Sequence, residues 1–495
     1  MKTKNLSTQA AFYFLGRASA LLLSFSVPLV LVRYLDKNNF GVYSQALLLY
    51  TLTFKILQFG FRKSLFYFIP KRNSLQNYYL TNTVLFFTIV GAFGAINFYI
   101  FRNGIAQFFG NTQMVKLVPL VGIFIFFMLF SCSLEPTLVS QSKASKAGLV
   151  IFFSQIVRSI SIIVPVMLYK TVSSALLGLV AYSIVRAFFL LIFVKITGGF
   201  VLNRKNWEYF KKQFSYSKHI GLSGILSNLS RRFDKLILSY YFSPEMFAIY
   251  KIGNFRIPFV QMFFMSIGEV MLPKAVSLLK SGKIEQFLAF WKRTILRFLF
   301  IGIGAFFILQ LVAHDLIVIL FTAKYVQSVP IFRIVLGYLL GSMLQYGIIL
   351  RTTGDTNLIL RSNIISFAVL VPITFFLTKY FSTIGAATAG LTGFYLNAFF
   401  QINYSIKTLR TNLRNLYPIT EFLQLGLISL ILFLVFFTLQ GLIPSSILRI
   451  VSSLIGFTTA YIILSYKLNI YRIFDEILWS TFINKIKNYV PLLDN

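Results

Sequence analysis

The stretch VLVRYLDKNNFGVYSQALLLY, residues 30–50, interrupts a long apolar run with a short polar break and then resumes it. A second stretch, LILSYYFSPEMFAIYKIGNF at residues 236–255, has the same form. Shifting the first stretch by 207 positions places its Leu31, Tyr34, Phe40 and Tyr43 on Leu238, Tyr241, Phe247 and Tyr250. Gly41 falls on Ala248. The match predicts that the chain contains the same interrupted helical hairpin twice.

The duplication extends beyond this hairpin, because FIPK at residues 68–71 recurs as MLPK at residues 271–274. Hydropathy places six helices before the second copy. Since six is an even number, both halves keep one orientation, which predicts parallel repeats related by an axis along the membrane normal. The alternative is convergence of two hydrophobic stretches, and the matched Tyr, Phe and Pro-Lys positions disfavour it.

The composition is that of a membrane protein. Hydrophobic residues make up 57% of the chain, charged residues 12%, and the mean hydropathy is +0.77, whereas soluble domains average about 45–50% apolar and about 25% charged residues. Apolar runs of about 20 residues, the length needed to cross a bilayer, recur along the chain. We therefore expect an all-α integral membrane protein with about 14 transmembrane helices.

The pattern of spans divides the chain into four parts. We expect a six-helix lobe at residues 1–200, a second six-helix lobe at 201–410, an additional transmembrane pair at 411–466, and a cytoplasmic amphipathic tail at 467–495. The fourteen predicted spans lie near 6–33, 40–62, 78–101, 114–141, 147–169, 172–195, 214–242, 246–273, 295–313, 329–350, 358–379, 383–406, 417–441 and 444–466.

The lysines and arginines predict the orientation and exclude a nucleic-acid partner. If the N-terminus is cytoplasmic, 29 of the 47 lie on cytoplasmic segments and 8 on the opposite side. This bias predicts a multi-pass protein of the cytoplasmic (inner) membrane with both termini in the cytoplasm. The net charge of +34 is spread between apolar runs rather than gathered on a soluble domain, as nucleic-acid binding requires.

Charges inside the predicted spans point to an anionic ligand. A charge at the centre of a bilayer costs about 2.5–3.5 kcal/mol on insertion scales. Only Glu135, Asp234 and Glu269 are carboxylates at membrane depth, so some cations must snorkel to the interface and others must line a wet cavity. The ten cations within the spans are Arg17, Lys55, Arg158, Arg186, Arg231, Arg232, Lys235, Lys251, Arg256 and Arg333.

Four stretches resemble polysaccharide flippases. These flippases are the Wzx-type members of the multidrug/oligosaccharidyl-lipid/polysaccharide (MOP) exporter superfamily, whose fold is MATE-like. LVRYLDKNNFGVYSQALLLYTLTFKILQFGF at 31–61 looks like their opening hairpin, and RRFDKLILSYYFSPEMFAIYKIGNF at 231–255 like the hairpin of their second lobe. LRTTGDTNLILRSNIISF at 350–367 and STIGAATAG at 382–390 resemble their loop after the tenth helix and the start of the twelfth.

The resemblance implies a transporter and not an enzyme. Its expected activity is translocation of an undecaprenyl-diphosphate-linked oligosaccharide from the cytoplasmic to the outer leaflet, for surface polysaccharides such as O-antigen. The expected partners are this lipid-linked oligosaccharide and membrane lipids, with a polysaccharide polymerase and glycosyltransferases as further candidates. No cofactor is expected beyond a coupling proton or sodium ion.

Arg17, Lys55 and Arg256 are the candidates for binding the diphosphate, because they lie nearest to mid-helix and guanidinium pairs bidentately with phosphate. In related flippases, cations on these helices line the cavity. Snorkelling or a structural ion pair is the alternative for each residue. Arg231 and Asp234, three residues apart, predict an ion pair that either fixes the hairpin or opens as a gate.

Glu135 and Glu269 are candidates for binding a coupling proton or sodium ion. His219 and His314 are far apart in sequence, so no metal site is predicted. Two other classes of protein compete with this interpretation. An enzyme of lipid-linked sugars would need carboxylate pairs, a catalytic histidine or a Gly-rich nucleotide loop, and none of these patterns is present. An ion-coupled multidrug exporter of the same fold is the alternative, but a pocket for cationic drugs should be acidic and aromatic.

Overall fold

The computed structural model describes residues 2–71, 73–257, 271–272 and 274–468. In this part of the chain every regular element is a helix. Contacts group the helices into two compact units: unit 1 comprises residues 1–251 with 381–386, and unit 2 comprises residues 252–380 with 387–495. The two units are defined by contacts between residues, whereas the four parts predicted from the sequence are defined by the repeat and the spans. The four parts therefore stay a prediction. Most of the predicted tail, residues 469–495, lies outside the described residues.

Unit 1 contains twelve helices of the described chain, of which the last ends in unit 2. They are α1 (Lys2–Tyr34), α2 (Lys37–Gln58), α3 (Phe61–Lys71), α4 (Gln76–Ile100), α5 (Arg102–Phe108), α6 (Met114–Ser131), α7 (Leu134–Ser140), α8 (Ala144–Tyr169), α9 (Val172–Ile196), α10 (Lys205–Ser230), α11 (Phe233–Tyr241) and α12 (Pro244–Gly253).

Unit 2 continues with eight further helices of the described chain, and residues 274–280 are also helical. The eight are α13 (Ile284–Leu311), α14 (Ala313–Phe321), α15 (Val329–Met343), α16 (Gly347–Thr353), α17 (Thr356–Leu409), α18 (Leu413–Leu416), α19 (Ile419–Gln440) and α20 (Ser446–Lys467).

Eleven helical segments of the described residues are long and apolar enough to cross a membrane, and their correspondence with the predicted spans confirms the all-α membrane fold. The segment at 357–409 covers two predicted spans, because Ser382 has non-helical torsion angles and breaks the helix there. The seventh predicted span is more polar and is interrupted between α10 and α11. The eighth begins with α12 and runs into residues 258–270, which are not described.

The polar breaks at the two repeated hairpins have the same hydrogen-bond pattern. The Asp36 carboxylate accepts from the Asn39 backbone N–H at 2.6 Å and caps α2. At the position 207 residues later, Ser243 Oγ accepts from the Met246 N–H at 3.4 Å and caps α12. A side-chain oxygen at the N-cap satisfies a backbone donor that has no partner within the helix. Both turns are therefore set locally by the residue at this one position.

Burial follows the same 207-residue correspondence. Leu31 and Leu238 are fully buried, as are the phenylalanine and tyrosine pairs 40/247 and 43/250, whereas Tyr34 and Tyr241 are both exposed. The two hairpins thus present the same faces to their surroundings. This agreement supports the prediction that the hairpin is duplicated.

Helices α1 and α8 of unit 1 approach each other at glycine. A Cβ atom placed on Gly16 would lie 2.3 Å from Gly148 O, and one on Gly148 would lie 2.7 Å from Phe12 O. Small residues let helix backbones come this close, and close packing drives helix association where lipid is as apolar as the side chains. Larger residues at either position would separate the two helices.

Unit 2 is held by an apolar core and by one ion pair near the start of its last helix. Trp291, Phe298, Met343 and Phe457 lie in the core that joins α13, α15 and α20. In the first turn of α14, Asp315 accepts two hydrogen bonds from Arg449, at 2.6 and 2.9 Å. Arg449 also donates to the Ile443 carbonyl at 2.9 Å and to Ser446 Oγ at 3.0 Å. This single guanidinium therefore fixes the turn before α20 to α14.

Replacing Asp315 with Asn should lower the thermal unfolding midpoint by a few degrees, because Arg449 would lose its only carboxylate among the described residues. The hydrogen bonds from Arg449 hold the pKa of Asp315 below its usual value. The stabilisation is therefore complete above the unfolded-state pKa of about 3.9 and is lost as the pH falls through the lower folded-state pKa.

The unfolding midpoints of wild type and Asp315→Asn, measured in detergent from pH 7 downwards, should accordingly converge in acid. Glu285→Gln, at an exposed position of α13, serves as the control and should leave the midpoint unchanged. A difference between wild type and Asp315→Asn that persists unchanged in acid would contradict the ion pair.

Candidate functional site

The two repeated hairpins touch each other within unit 1. A Cβ atom on Gly41 would lie 1.8 Å from Pro244 O, so the backbone of α2 rests directly on the start of α12. Beside this contact, Lys37 Nζ lies 3.3 Å from Glu245 Oε1. The Glu245 side chain is about half exposed, and such pairs contribute roughly 0.2–1 kcal/mol. We call this backbone packing and the ion pair beside it the hairpin contact. Because the ion pair contributes little, the hairpin contact depends mainly on Gly41.

The first turn of α11 carries Asp234, which is paired across the second hairpin. Its carboxylate accepts a short hydrogen bond from the Tyr250 hydroxyl of α12, and Lys235 Nζ lies 3.6 Å away. Among the described ion pairs, Arg231 does not join Asp234, although the spacing in sequence would allow it. Arg231 is instead exposed at the C-terminal end of α10. The Asp234–Tyr250 hydrogen bond ties α11 to α12 within the hairpin.

Unit 1 holds a group of positive charges, the cationic cluster, formed by Lys55, Arg62, Lys63 and Arg231. Lys55 lies within electrostatic range of the other three, each of which repels it. Asn228 positions the two helices by donating to the Leu52 carbonyl at 3.4 Å. The two helices run antiparallel, because Phe59 and Gly60 meet Ser217 and Gly221 further along α2. Lys55 and Arg231 therefore lie on opposite sides of the Asn228 contact, and Arg231 has the weakest effect on Lys55 of the three cations.

One carboxylate partly compensates the cationic cluster. Glu135 is buried, accepts a short hydrogen bond from Arg186, and lies 3.6 Å from Arg62. Arg186 also donates to Ser131 Oγ at 3.2 Å and to the Tyr182 hydroxyl at 3.3 Å. Two arginines share one carboxylate, so the cluster keeps an excess of positive charge. Arg62 ends the second predicted span, at 40–62, and only the fold reveals its position beside Glu135.

The remaining predicted site residues lie elsewhere. Arg17 is exposed on α1, with its guanidinium 5.7 Å from the Tyr13 ring centroid. Arg256 is exposed in unit 2 and stacks on Tyr338 at 4.1 Å from the ring centroid. Glu269 lies outside the described residues. Of the five site residues predicted in unit 1, Lys55 and Arg231 belong to the cationic cluster, and Glu135 pairs with its Arg62.

Replacing Gly41 with Leu should open the hairpin contact, because no space exists for a Cβ atom beside Pro244. The change can be followed with an impermeant maleimide on Ser44→Cys in a chain whose only cysteine, Cys132, is replaced by Ser. Ser44 is buried in this structure, so labelling should be slow and should rise several-fold with Gly41→Leu.

Gly104→Leu is the matched control, since no atom lies within 4 Å of a Cβ atom at that position. It should leave the labelling of Ser44→Cys slow. Equal labelling with and without Gly41→Leu would show that the hairpin contact does not depend on this glycine.

Comparison with protein families gives one match that covers most of the chain. A family described as "Polysaccharide biosynthesis protein" matches residues 30–330. No curated protein sequence matches the chain. The matched residues include both repeated hairpins and the cationic cluster.

Comparison with solved structures gives the fold. The lipid II flippase MurJ in an inward closed conformation is 17% identical, with a TM-score of 0.73 over 93% of this chain and 98% of that chain. An inward-facing multidrug resistance MATE family transporter of the MOP superfamily is 13% identical, with a TM-score of 0.56 over 79% of this chain and 98% of that chain.

A third solved structure is a MOP superfamily transporter from Pyrococcus furiosus, described by the reverse polarity of its binding pocket. It is 14% identical, with a TM-score of 0.54 over 83% of this chain and 97% of that chain. The three matches show that the chain has the MOP superfamily fold. The fold implied by the resemblance in the sequence is therefore confirmed.

Proposed function

The chain belongs to the polysaccharide biosynthesis protein family, and we propose that it moves an undecaprenyl-diphosphate-linked oligosaccharide from the cytoplasmic to the outer leaflet. The observation that supports this most strongly is the cationic cluster of unit 1, for which the ion pairs of the described residues supply one carboxylate, Glu135. Uncompensated cations in a membrane protein are costly and mark an anion pathway. A diphosphate offers the charge and the acceptor oxygens that Arg binds best.

The proposed mechanism is alternating access without ATP hydrolysis. The diphosphate binds the cations and the sugars follow it through a wet cleft, while the lipid tail stays in the bilayer. The distribution of basic residues places the polar breaks of both hairpins on the outer side, so the hairpin contact would close that side. Its opening would release the substrate towards the outer leaflet, for synthesis of a surface polysaccharide such as O-antigen.

The membrane and orientation belong to the same proposal. The chain is a multi-pass membrane protein, and we infer that it resides in the cytoplasmic membrane with both termini in the cytoplasm. That orientation presents the cations first to the leaflet where lipid-linked sugars are assembled. A polysaccharide polymerase and glycosyltransferases are proposed partners on the two faces.

Arg17, Lys55 and Arg256 are retained as proposed diphosphate ligands. Lys55 has the strongest support, since it lies in the cationic cluster with Arg62 and Lys63. A gating role for Asp234 is also retained, with Tyr250 and Lys235 as the contacts that would break and reform.

The proposed coupling ion is a proton or sodium ion at Glu135 or Glu269. At Glu135, two arginines compete with any cation for the carboxylate. A dependence of transport on an imposed sodium or proton gradient that survives Glu135→Gln would assign coupling to another residue.

Transbilayer movement of a fluorescent undecaprenyl-diphosphate oligosaccharide, measured in liposomes, tests the function. Wild type should move the lipid. Lys55→Ala and Arg62→Gln should slow movement at limiting substrate by about tenfold or more, because each loses a charge-assisted hydrogen bond to the phosphate. Arg17→Ala and Arg256→Ala test the two other proposed ligands in the same way.

Lys170→Ala removes an exposed cation distant in sequence from the cluster and should leave movement unchanged. If the Lys55 and Arg62 variants still move the lipid at the wild-type rate, the diphosphate does not bind at the cationic cluster. Failure of wild type to move the lipid, together with export of a cationic dye, would support the ion-coupled multidrug exporter instead.

A further inference from the structure

A small cavity lies beside Arg256, entirely within unit 2. Its volume is about 110 Å³. Helices α13 and α15 and the second half of α17 supply most of its wall, through Leu309, Val335, Leu336, Leu339 and Phe394. None of these side chains belongs to the cationic cluster of unit 1, so the cavity is a separate feature of the protein.

The wall of the cavity is apolar and its edge carries one charge. Ser342 also lines it, but its hydroxyl already donates to the Leu339 carbonyl at 2.7 Å. The charged group is the Arg256 guanidinium, held 4.1 Å from the centroid of the Tyr338 ring. A cation stacked on an aromatic face is fixed in place while its N–H groups remain available around the ring edge. The cavity therefore combines one anion-binding group with an apolar hollow.

Size and polarity exclude a sugar from this hollow. Pockets that enclose a drug-sized ligand measure roughly 300–1,000 Å³, several times the volume present here. A sugar would also leave hydroxyl groups without hydrogen-bond partners against Leu309, Val335 and Phe394, at a cost for each group. Only a short apolar segment fits, and the N–H groups of Arg256 can hold an anion next to it.

We propose that this cavity binds the first isoprene segment of a polyprenyl diphosphate, whose phosphate Arg256 holds at the edge. The inference rests on the proposed function and names the part of the substrate that unit 2 recognises. In a polyprenyl diphosphate the apolar chain begins directly at the phosphate ester oxygen. In a glycerophospholipid a glycerol and two ester groups separate the phosphate from the apolar chains, and the wall of the cavity would leave those groups unpaired.

This site would let the protein recognise its substrate by the lipid rather than by the glycan. The junction between diphosphate and isoprenoid is the same whatever sugars are attached. A cavity that selects the junction supplies affinity that does not depend on the oligosaccharide, while bulk phospholipids, which are present in large excess, are rejected by their polar linker.

Binding of farnesyl diphosphate and of inorganic pyrophosphate to the purified full-length protein tests the proposal. Both probes carry the diphosphate, and only the first carries isoprene units. Wild type should bind farnesyl diphosphate about tenfold or more tightly than pyrophosphate, because the cavity buries several apolar carbons. Dihexanoyl phosphatidylglycerol should not displace it at comparable concentration.

Val335→Phe and Leu309→Phe fill the cavity from two different helices. In either variant the dissociation constants of the two probes should come to within about twofold of each other, without loss of pyrophosphate binding. Arg256→Gln should weaken the binding of both probes. Leu427→Phe, an exposed position of α19, is the matched control and should keep the preference. Thermal unfolding of each variant confirms that it folds, and either filling variant alone suffices for the test.

An equal preference in wild type and in a folded filling variant would overturn the proposal, as would displacement of farnesyl diphosphate by phosphatidylglycerol at equal concentration. The liposome assay separates this outcome from failure of the proposed function. If the protein moves the lipid-linked oligosaccharide but does not prefer farnesyl diphosphate to pyrophosphate, only the proposed isoprenoid site is overturned. If the protein moves no lipid-linked oligosaccharide, but prefers farnesyl diphosphate and loses that preference when the cavity is filled, the isoprenoid site is supported and the flippase function is overturned.

Discussion

The low polarity of the bilayer is the constraint on which the rest of the structure depends. With no water to pair them, backbone N–H and C=O groups must bond within a helix, and each charge must find a partner or a wet surface. Two carboxylates within the predicted spans of unit 1 obey this rule: Glu135 pairs with Arg186 and Arg62, and Asp234 with Tyr250 and Lys235. The cations within those spans outnumber these two carboxylates, so the rest must reach a wet surface.

The same constraint explains where the chain breaks. At the repeated hairpins the first donors of α2 and α12 are capped by Asp36 and Ser243, so each break is satisfied by its own side chain. The break in α17 at Ser382 has no such cap; the residue adopts left-handed torsion angles and its hydroxyl has no partner among the described residues. The breaks at the hairpins are thus capped by a local side chain, whereas the break at Ser382 is not.

Features that depend on local pattern could be predicted from the sequence. Apolar runs located the helices, and matched Leu, Phe and Tyr positions located the duplicated hairpin, because burial and capping are decided within a few residues. Contacts between distant segments could not be predicted. Asp315 pairs with Arg449 across 134 residues, and Asp234 binds Tyr250 of the next helix rather than Arg231 one turn away. Spacing along one helix says which pairs can form, and packing between helices decides which do.

The two copies of the hairpin differ at the position where they meet. Gly41 of the first copy corresponds to Ala248 of the second, and Gly41 faces the backbone of the other copy at Pro244. A Cβ atom is tolerated at Ala248, which is buried, and it has no room at Gly41. At this matched position the first copy therefore needs a residue without a Cβ atom, whereas the second copy does not. A side chain that one copy of a duplicated hairpin tolerates can thus be excluded from the other by the contact between them.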